Sequence, residues 1–538
     1  MYFCTTSKVV RLYMSGGSRP LRGVRRPNSS SSGMPSKGAA AMTVQTDRPP
    51  TGADDGTTGR PTFRMFDMVL FSVAAMLLLS QLTVTAAVGP TAIFWTVAII
   101  VVFFVPYGLV TSELGSAYPD AGGIYAWVVR AFGNRWGSRV SWWYWLNVGL
   151  WVPSVYLMFS GAISSMFFGG DLNFWVQVAI TVTLIWINYW VNVRSLKTGT
   201  WVSNLGAGIT IAVIIALAIA GGIYASAHGS ATSWTMDTVI PTDALPAFIA
   251  ALPIVIYNFL GFELMSSAST QMANPQRDVP KTIFIAGVLI GGFYLIATVG
   301  MQLILPADEI SQTTGLIDAL RHGFGDSAVA NAVVTILGIG ALFCFFASLV
   351  PWTIGANIAA AEAAQQGDLP KVFARTHPTR GTPVGAAMLC SIVGTVFTVG
   401  YAGLFSLTDG AIDDLFWNLF AFSSVIFLLP YIVMMLAFAK LRHIDADRPR
   451  PYRVPGGPVM TWLMTWIPVA LLAAAAVFFV WNPYDYSLAV TGSILVGLVV
   501  TVVFQEYFCA RSPEWTRQRA IERGEDPDTA SQFADAHL

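Results

Sequence analysis

Charge is what this sequence is short of. Asp, Glu, Lys and Arg make up 11% of its 538 residues, against roughly a quarter in soluble globular chains. Basic and acidic residues number 30 each, so no net field points to nucleic acid as a partner. Cysteine is scarce too. Cys4, Cys344, Cys390 and Cys509 are scattered, with no CxxC and no histidine at metal-ligand spacing, which excludes a disulfide framework and a cysteine-based metal centre. The five histidines form no cluster. HExxH, a Ser–His pairing or paired Asp within the apolar runs, and a phosphate-binding glycine loop are all missing. Neither intramembrane hydrolysis nor direct use of ATP has a motif to stand on, and no cofactor is expected.

What the chain has in excess is apolar length. Hydrophobic residues are 54% of the total, and apolar stretches recur from about position 66 to 508, each of the roughly 20 residues needed to cross a bilayer as a helix. Short alternating segments of the kind a membrane β-barrel requires are not seen. The reading is all-α, a polytopic membrane protein with 12 transmembrane helices. The first six are expected near 66–88, 91–112, 138–167, 172–192, 201–224 and 245–269. The others are expected near 279–305, 327–357, 382–404, 411–440, 459–481 and 487–508. Twelve spans put both termini on one side. With that side cytoplasmic, every Lys and Arg except Arg321 falls in an inner loop or tail, as the positive-inside rule requires. Residues 1–60, rich in Ser, Gly, Pro, Thr and Arg, are expected to be a disordered cytoplasmic tail. They carry no apolar core of the kind that marks a secretory signal. Met34 and Met42 lie within this stretch, which leaves the start codon open. Residues 61–510 are expected to form the membrane domain and 511–538 a charged cytoplasmic C-terminal tail.

Two helices should be broken. Ser80, Gln81 and Thr83 lie near the middle of the first span, and Asn258, Gly261 and Glu263 near the middle of the sixth. Each opens one half of a five-plus-five arrangement, the pattern of a transporter built from inverted repeats with its site between discontinuous helices. An unwound segment frees N–H groups that can hold a carboxylate and carbonyls that can accept from an ammonium group. A zwitterion could be matched in this way without any Arg or Lys. The plainer reading of such Ser, Thr and Asn residues is helix-to-helix hydrogen bonding. Glu263 is the one carboxylate placed near the bilayer centre, where an ionisable group is costly and is expected to be functional, paired or protonated. Trp142, Trp143, Trp145 and Trp151 on the third span are assigned to packing and interfacial anchoring.

Four segments carry a resemblance. They are Ser112-Glu113-Leu114-Gly115-Ser116-Ala117-Tyr118-Pro119-Asp120-Ala121-Gly122-Gly123, Gly261-Phe262-Glu263 with Asn274-Pro275-Gln276-Arg277, Gly367-Asp368-Leu369-Pro370-Lys371, and Tyr452-Arg453-Val454-Pro455-Gly456-Gly457. In order and spacing the chain resembles the amino acid–polyamine–organocation superfamily of permeases, nearest in pattern to glutamate/γ-aminobutyrate and arginine/agmatine antiporter branches. That resemblance implies a 5+5 inverted repeat (LeuT-like) with broken helices 1 and 6 and two trailing helices. It implies a secondary active transporter, permease or antiporter, moving an amino acid or related amine across the cell membrane by alternating access. A polyamine permease of the same superfamily is the near alternative, and a non-transporting membrane sensor the distant one.

By matching position the resemblance implies substrate contacts at Ser80, Gln81, Leu82, Thr83, Asn147, Tyr257, Asn258, Phe259, Leu260, Gly261 and Trp352, with Tyr257 as an aromatic gate. Glu263 falls where the family has an acidic residue linked to proton response. The implied partners are the small-molecule substrate, H+ or Na+ as coupling ion, and the lipid bilayer. The oligomeric state is left open, a homodimer being compatible with it. Two departures stand out: Ser80 to Thr83 contains no glycine where the family's first helix has a Gly-rich break, and Asn204 stands where some relatives carry a Lys.

Overall fold

The computed structural model describes residues 65–118, 123–194, 198–241, 243–263, 275–407, 410–484 and 487–523. The expected N-terminal tail, Pro119 to Gly122 of the first signature, Asn274 and the side chain of Asn204 lie outside the described residues.

Among the described residues the protein is helical, with no strand. The main helices of its first half are α1 (Met65–Met76), α2 (Ser80–Ala86), α3 (Thr91–Ala117), α4 (Ile124–Phe132), α5 (Asn134–Phe168), α6 (Phe174–Arg194), α7 (Thr198–His228) and α8 (Ala244–Asn258). After these come α9 (Pro275–Gln302), α10 (Gly315–Phe324), α11 (Ala328–Gln366), α12 (Val384–Ser406), α13 (Ile412–Ile444), α14 (Gly457–Val480) and α15 (Leu488–Arg523). Ten of the described helices are long and apolar enough to cross a membrane, so this is a polytopic membrane protein. The first and sixth expected spans are not among the ten, because neither is one continuous helix: α1 stops at Met76 and α2 begins at Ser80, and α8 stops at Asn258.

Helices α5 and α13 form the centre. Inside the protein lie 89% and 83% of their apolar windows, whereas α6 and α14 bury only 28% of theirs and turn the rest outward. Outward apolar residues such as Trp190, Val477 and Trp466 are the expected surface of a protein solvated by lipid. Helix α15 runs unbroken past position 510 to Arg523.

The end of the bundle richest in Lys and Arg is tied together by two buried carboxylates from the signature segments. Glu113, at the end of α3, pairs with Arg442 of α13, lies 3.2 Å from Arg450, and accepts from the Val454 N–H at 2.7 Å. The first and fourth signatures are therefore two halves of one contact. Asp368, just past α11, accepts from Tyr125 of α4 (2.5 Å) and Ser512 of α15 (3.2 Å), while its backbone carbonyl accepts from Ser138 of α5 (2.6 Å). Burial pushes the Asp368 carboxyl up to about 6, with the two hydroxyl donors pulling the other way. The preceding Gly367 has φ +101°, and a Cβ there would collide with the backbone of Thr516, so only glycine allows α15 to lie this close.

Candidate site between the interrupted helices

The break in the first span is made of leucines. Leu77 to Leu79 separate α1 from α2, and what replaces the lost helical bonds comes from elsewhere in the chain. The Tyr294 hydroxyl, on α9, donates to the Met76 carbonyl (2.9 Å) and accepts from the Leu78 N–H (3.2 Å). Trp352 on α11 donates its indole N–H to the Ala75 carbonyl at 3.1 Å. At the end of α2, Gln302 donates to the Ala86 carbonyl at 2.7 Å. Leaving backbone groups unpaired at this depth would be costly, and these three side chains from α9 and α11 offset part of that cost.

The second break is sharper. After Asn258 the Phe259 and Leu260 N–H groups turn back to the Ile256 and Tyr257 carbonyls, at 3.0 and 3.3 Å. Gly261 then takes φ +106°, and a Cβ on it would stand 3.4 Å from Met76 and 3.5 Å from Trp352. A residue with a side chain would be strained in that conformation, and its Cβ would stand in van der Waals contact with Met76, the last residue of α1, and with Trp352.

The two breaks face one another across a cavity of about 20 Å³ lined by Met76, Leu78, Gln81, Asn147, Trp151, Tyr257, Asn258, Leu260, Tyr294, Trp352 and Phe427. That volume is about one water, so a larger solute enters only if the walls separate. Four buried polar atoms on these walls have no hydrogen-bond partner: Gln81 Oε1, Asn147 Oδ1, Asn258 Oδ1 and Trp151 Nε1. Native interiors seldom leave such groups unpaired, and several in one cavity mark a place built for a polar guest. Around them stand aromatic faces. Tyr257 and Phe427 lie 5.6 Å apart between centroids, Trp151 and Trp352 5.8 Å, Trp352 and Phe427 6.3 Å.

Of the residues expected at a site, Gln81, Asn147, Tyr257, Asn258, Leu260 and Trp352 line this cavity. The other five are placed around it. Ser80 is buried with its hydroxyl unpartnered, Leu82 is fully enclosed, and Gly261 shapes the backbone. Thr83 points to the Gln312 carbonyl (2.9 Å), and Phe259 packs on Phe104 at 5.3 Å. Residues that sequence reasoning misses are Tyr294, Phe427 and Trp151, the last of which it assigns to packing. Nothing local in the sequence marks Tyr294 or Phe427, which reach the cavity from α9 and α13.

Glu263 does not line the cavity. Its two carboxylate oxygens accept from Tyr107 of α3 and Tyr431 of α13, both at 2.8 Å, and the backbone N–H groups of Gly261 and Glu263 face it as well. It is buried, and it joins the second break to two other helices.

Similarity to known proteins runs over most of the described residues. A family model described as amino acid permease matches residues 63–504. The chain is 31% identical over 458 residues to a probable agmatine/putrescine antiporter of Lactococcus lactis, covering 84% of this chain and 96% of that protein. It is 28% identical to an uncharacterized transporter of Legionella pneumophila, over 78% of this chain and 89% of the other. It is 26% identical to an L-methionine/branched-chain amino acid exporter of Escherichia coli, over 69% and 82%.

Proposed function

The chain belongs to the amino acid permease family, and on that footing we propose that it is a secondary active transporter moving an amino acid or a related amine across the cytoplasmic membrane by alternating access. The observation that carries this reading is the cavity between the two interrupted helices, walled by aromatic rings and by polar atoms that have no partner in the protein. Small size supports a cycle in which the walls part and close again: a solute of amino-acid size does not fit in about 20 Å³.

On the same reading, Gln81, Asn147, Tyr257, Asn258, Leu260 and Trp352 touch the substrate, while Ser80, Leu82, Thr83, Phe259 and Gly261 shape the broken segments that hold it. Glu263 then acts as the proton-linked or gating group, through Tyr107 and Tyr431 rather than by contact with substrate. Ten long apolar helices and two interrupted ones support a total of twelve spans in a 5+5 inverted repeat, and the basic residues gathered at one end support cytoplasmic termini. Residues 61–510 are the transport domain. The coupling ion is H+ or Na+.

Members of this family that resemble the chain are named for amines and for amino acids, so the substrate has to be read from the site. The test is uptake and exchange by the purified protein in liposomes, with a panel of amino acids and amines under imposed pH and sodium gradients. Saturable, gradient-dependent movement of at least one of them is expected. Its absence across the panel, in protein shown to be folded, would overturn the reading.

A further inference from the structure

We propose that an anionic phospholipid binds where the end of α13 meets the junction of α4 and α5, on a row of alternating cations and aromatic rings. The site lies at the Lys- and Arg-rich end of the bundle, apart from the transport cavity, and does not depend on what is transported.

The row is continuous. Lys440 Nζ of α13 stands 4.7 Å from the centre of the Phe132 ring, at the end of α4. Phe132 and Trp136, the latter in the first turn of α5, lie 6.0 Å apart between centroids, and Arg139 stands 4.9 Å from the Trp136 ring. Trp136 is 37% exposed, Lys440 and Arg139 are half-buried, and Arg135, next to Trp136, is exposed.

The depth of the row is set against α15. The outward face of that helix is apolar from Leu495 to Phe504, and beyond it come Glu506, Arg511, Glu514 and Arg517. At this level Trp143 gives its indole N–H to Gln505, and Arg139 donates to Glu506 at 2.9 and 3.1 Å. Trp136 is about 4.5 Å farther along α5, away from the apolar face. That is head-group depth, where amphipathic rings settle.

Charge then decides the ligand. The bias of Lys and Arg toward one end accounts for cations here, but not for cations left without an anion. Arg442 and Arg450, also near the end of α13, are matched by Glu113, and Arg139 gives two N–H donors to Glu506. Among the described residues Lys440 and Arg135 have no acidic partner. A lipid phosphodiester brings acceptor oxygens and a negative charge, which suit the planar fork of Arg and the compact charge of Lys. A choline head group would bring a like charge against them, and Lys440 and Arg139 already lie over the rings that attract such a cation. A phosphate on this row touches α13 and α5 at once, so binding ties the two central helices together.

The test uses native mass spectrometry of the full-length protein, released from mixed micelles holding equal amounts of phosphatidylglycerol and phosphatidylcholine. Wild type is expected to retain phosphatidylglycerol about tenfold over phosphatidylcholine, each unmatched cation contributing about fivefold. Lys440→Gln with Arg135→Gln should bring retention close to parity, and the two single variants, read separately, carry the same test if the double variant does not fold. Arg194→Gln is the control. It removes a cation stacked on Trp190 at 5.2 Å, at the end of α6 and outside the row, and should leave the preference unchanged. Equal retention of both lipids by wild type would overturn the proposal. So would a preference that survives the double variant, or one that Arg194→Gln lowers as much as Lys440→Gln, since general charge would then be what attracts the lipid. In nanodiscs, replacing part of the phosphatidylcholine by phosphatidylglycerol should raise the melting temperature of wild type, and soluble glycerol phosphate should not. No rise from the lipid, or the same rise from the soluble anion, would also sink it, the second outcome marking a site for free phosphate esters.

Discussion

Asn258, the last residue of α8, donates its side-chain N–H to the hydroxyl of Thr85 on α2 at 2.9 Å, and this bond joins the two interrupted helices beside the cavity. Removing it with Thr85→Val leaves the Asn258 amide buried with neither its nitrogen nor its oxygen paired. An unsatisfied buried polar group costs about 1–3 kcal/mol. The variant should melt several degrees lower in detergent and transport more slowly, whereas Thr85→Ser should restore both. A melting curve by gel filtration or intrinsic fluorescence checks it.

A larger loss is expected at Glu113. Its carboxylate is buried between Arg442 and Arg450, and breaking a buried pair by deleting one partner costs about 3–5 kcal/mol. Arg442→Met should therefore abolish most of the monodisperse protein. In the double variant with Glu113→Gln, part of the yield should return, since the carboxylate that had lost Arg442 is gone and the amide that replaces it can still accept from Arg450 and the Val454 N–H. A double-mutant cycle in which the two losses simply add would show that the pair is not coupled.

Asp368 gives a pH dependence with a definite sign. Its folded-state pKa, about 6, lies above the ordinary 3.8, so between those values the folded protein holds the proton and the unfolded chain does not. The stabilising contribution is complete below about pH 4 and is lost as pH rises through 6. Going from pH 7.5 to 5 should add about 1 kcal/mol, a gain that Asp368→Asn should erase. Melting temperature against pH for the two proteins is the measurement, and equal slopes would refute the assignment.

Glu263 is held by two phenols and does not touch the cavity, so its role is separable from substrate contact. If its protonation changes during the cycle, Glu263→Gln should flatten the dependence of initial uptake rate on pH while keeping most of the packing. A Gln variant whose profile has the same shape as wild type would assign proton response to another group.

Orientation is open to labelling. Single cysteines placed in 228–240 should react with an impermeant reagent added to intact cells, and those in 443–453 only after permeabilisation. The reverse pattern at either loop would remove the twelve-span proposal with both termini inside.

Helix content is legible in the sequence because length and apolarity decide it locally: the span expected at 138–167 is Asn134–Phe168, and the one at 411–440 is Ile412–Ile444. The breaks are legible only in part. Polar residues at Ser80 to Thr83 suggest an opening there, yet these form the first turn of α2, and the opening is at Leu77 to Leu79. Three leucines favour a helix by themselves; the side chains that hold them open belong to Tyr294 and Trp352, more than 200 positions away. The same limit hides the partners of Glu113. A signature segment shows that a carboxylate is wanted, while which arginines it meets is decided by the packing of α3 against the end of α13.

Helix α15 has 36 residues, about 54 Å at 1.5 Å per residue, nearly twice the ~30 Å of hydrocarbon it has to cross. The surplus reaches beneath α11, where Arg519 donates to the Ala364 carbonyl and Ser512 to Asp368. A stiff rod fastened there behaves as a pointer. A tilt of about 5° about that anchorage at Arg519 moves the Leu488 end, ~46 Å away, by ~4 Å, so small changes in the posture of α11 are magnified at the opposite end of α15, across the bilayer from the contact that causes them.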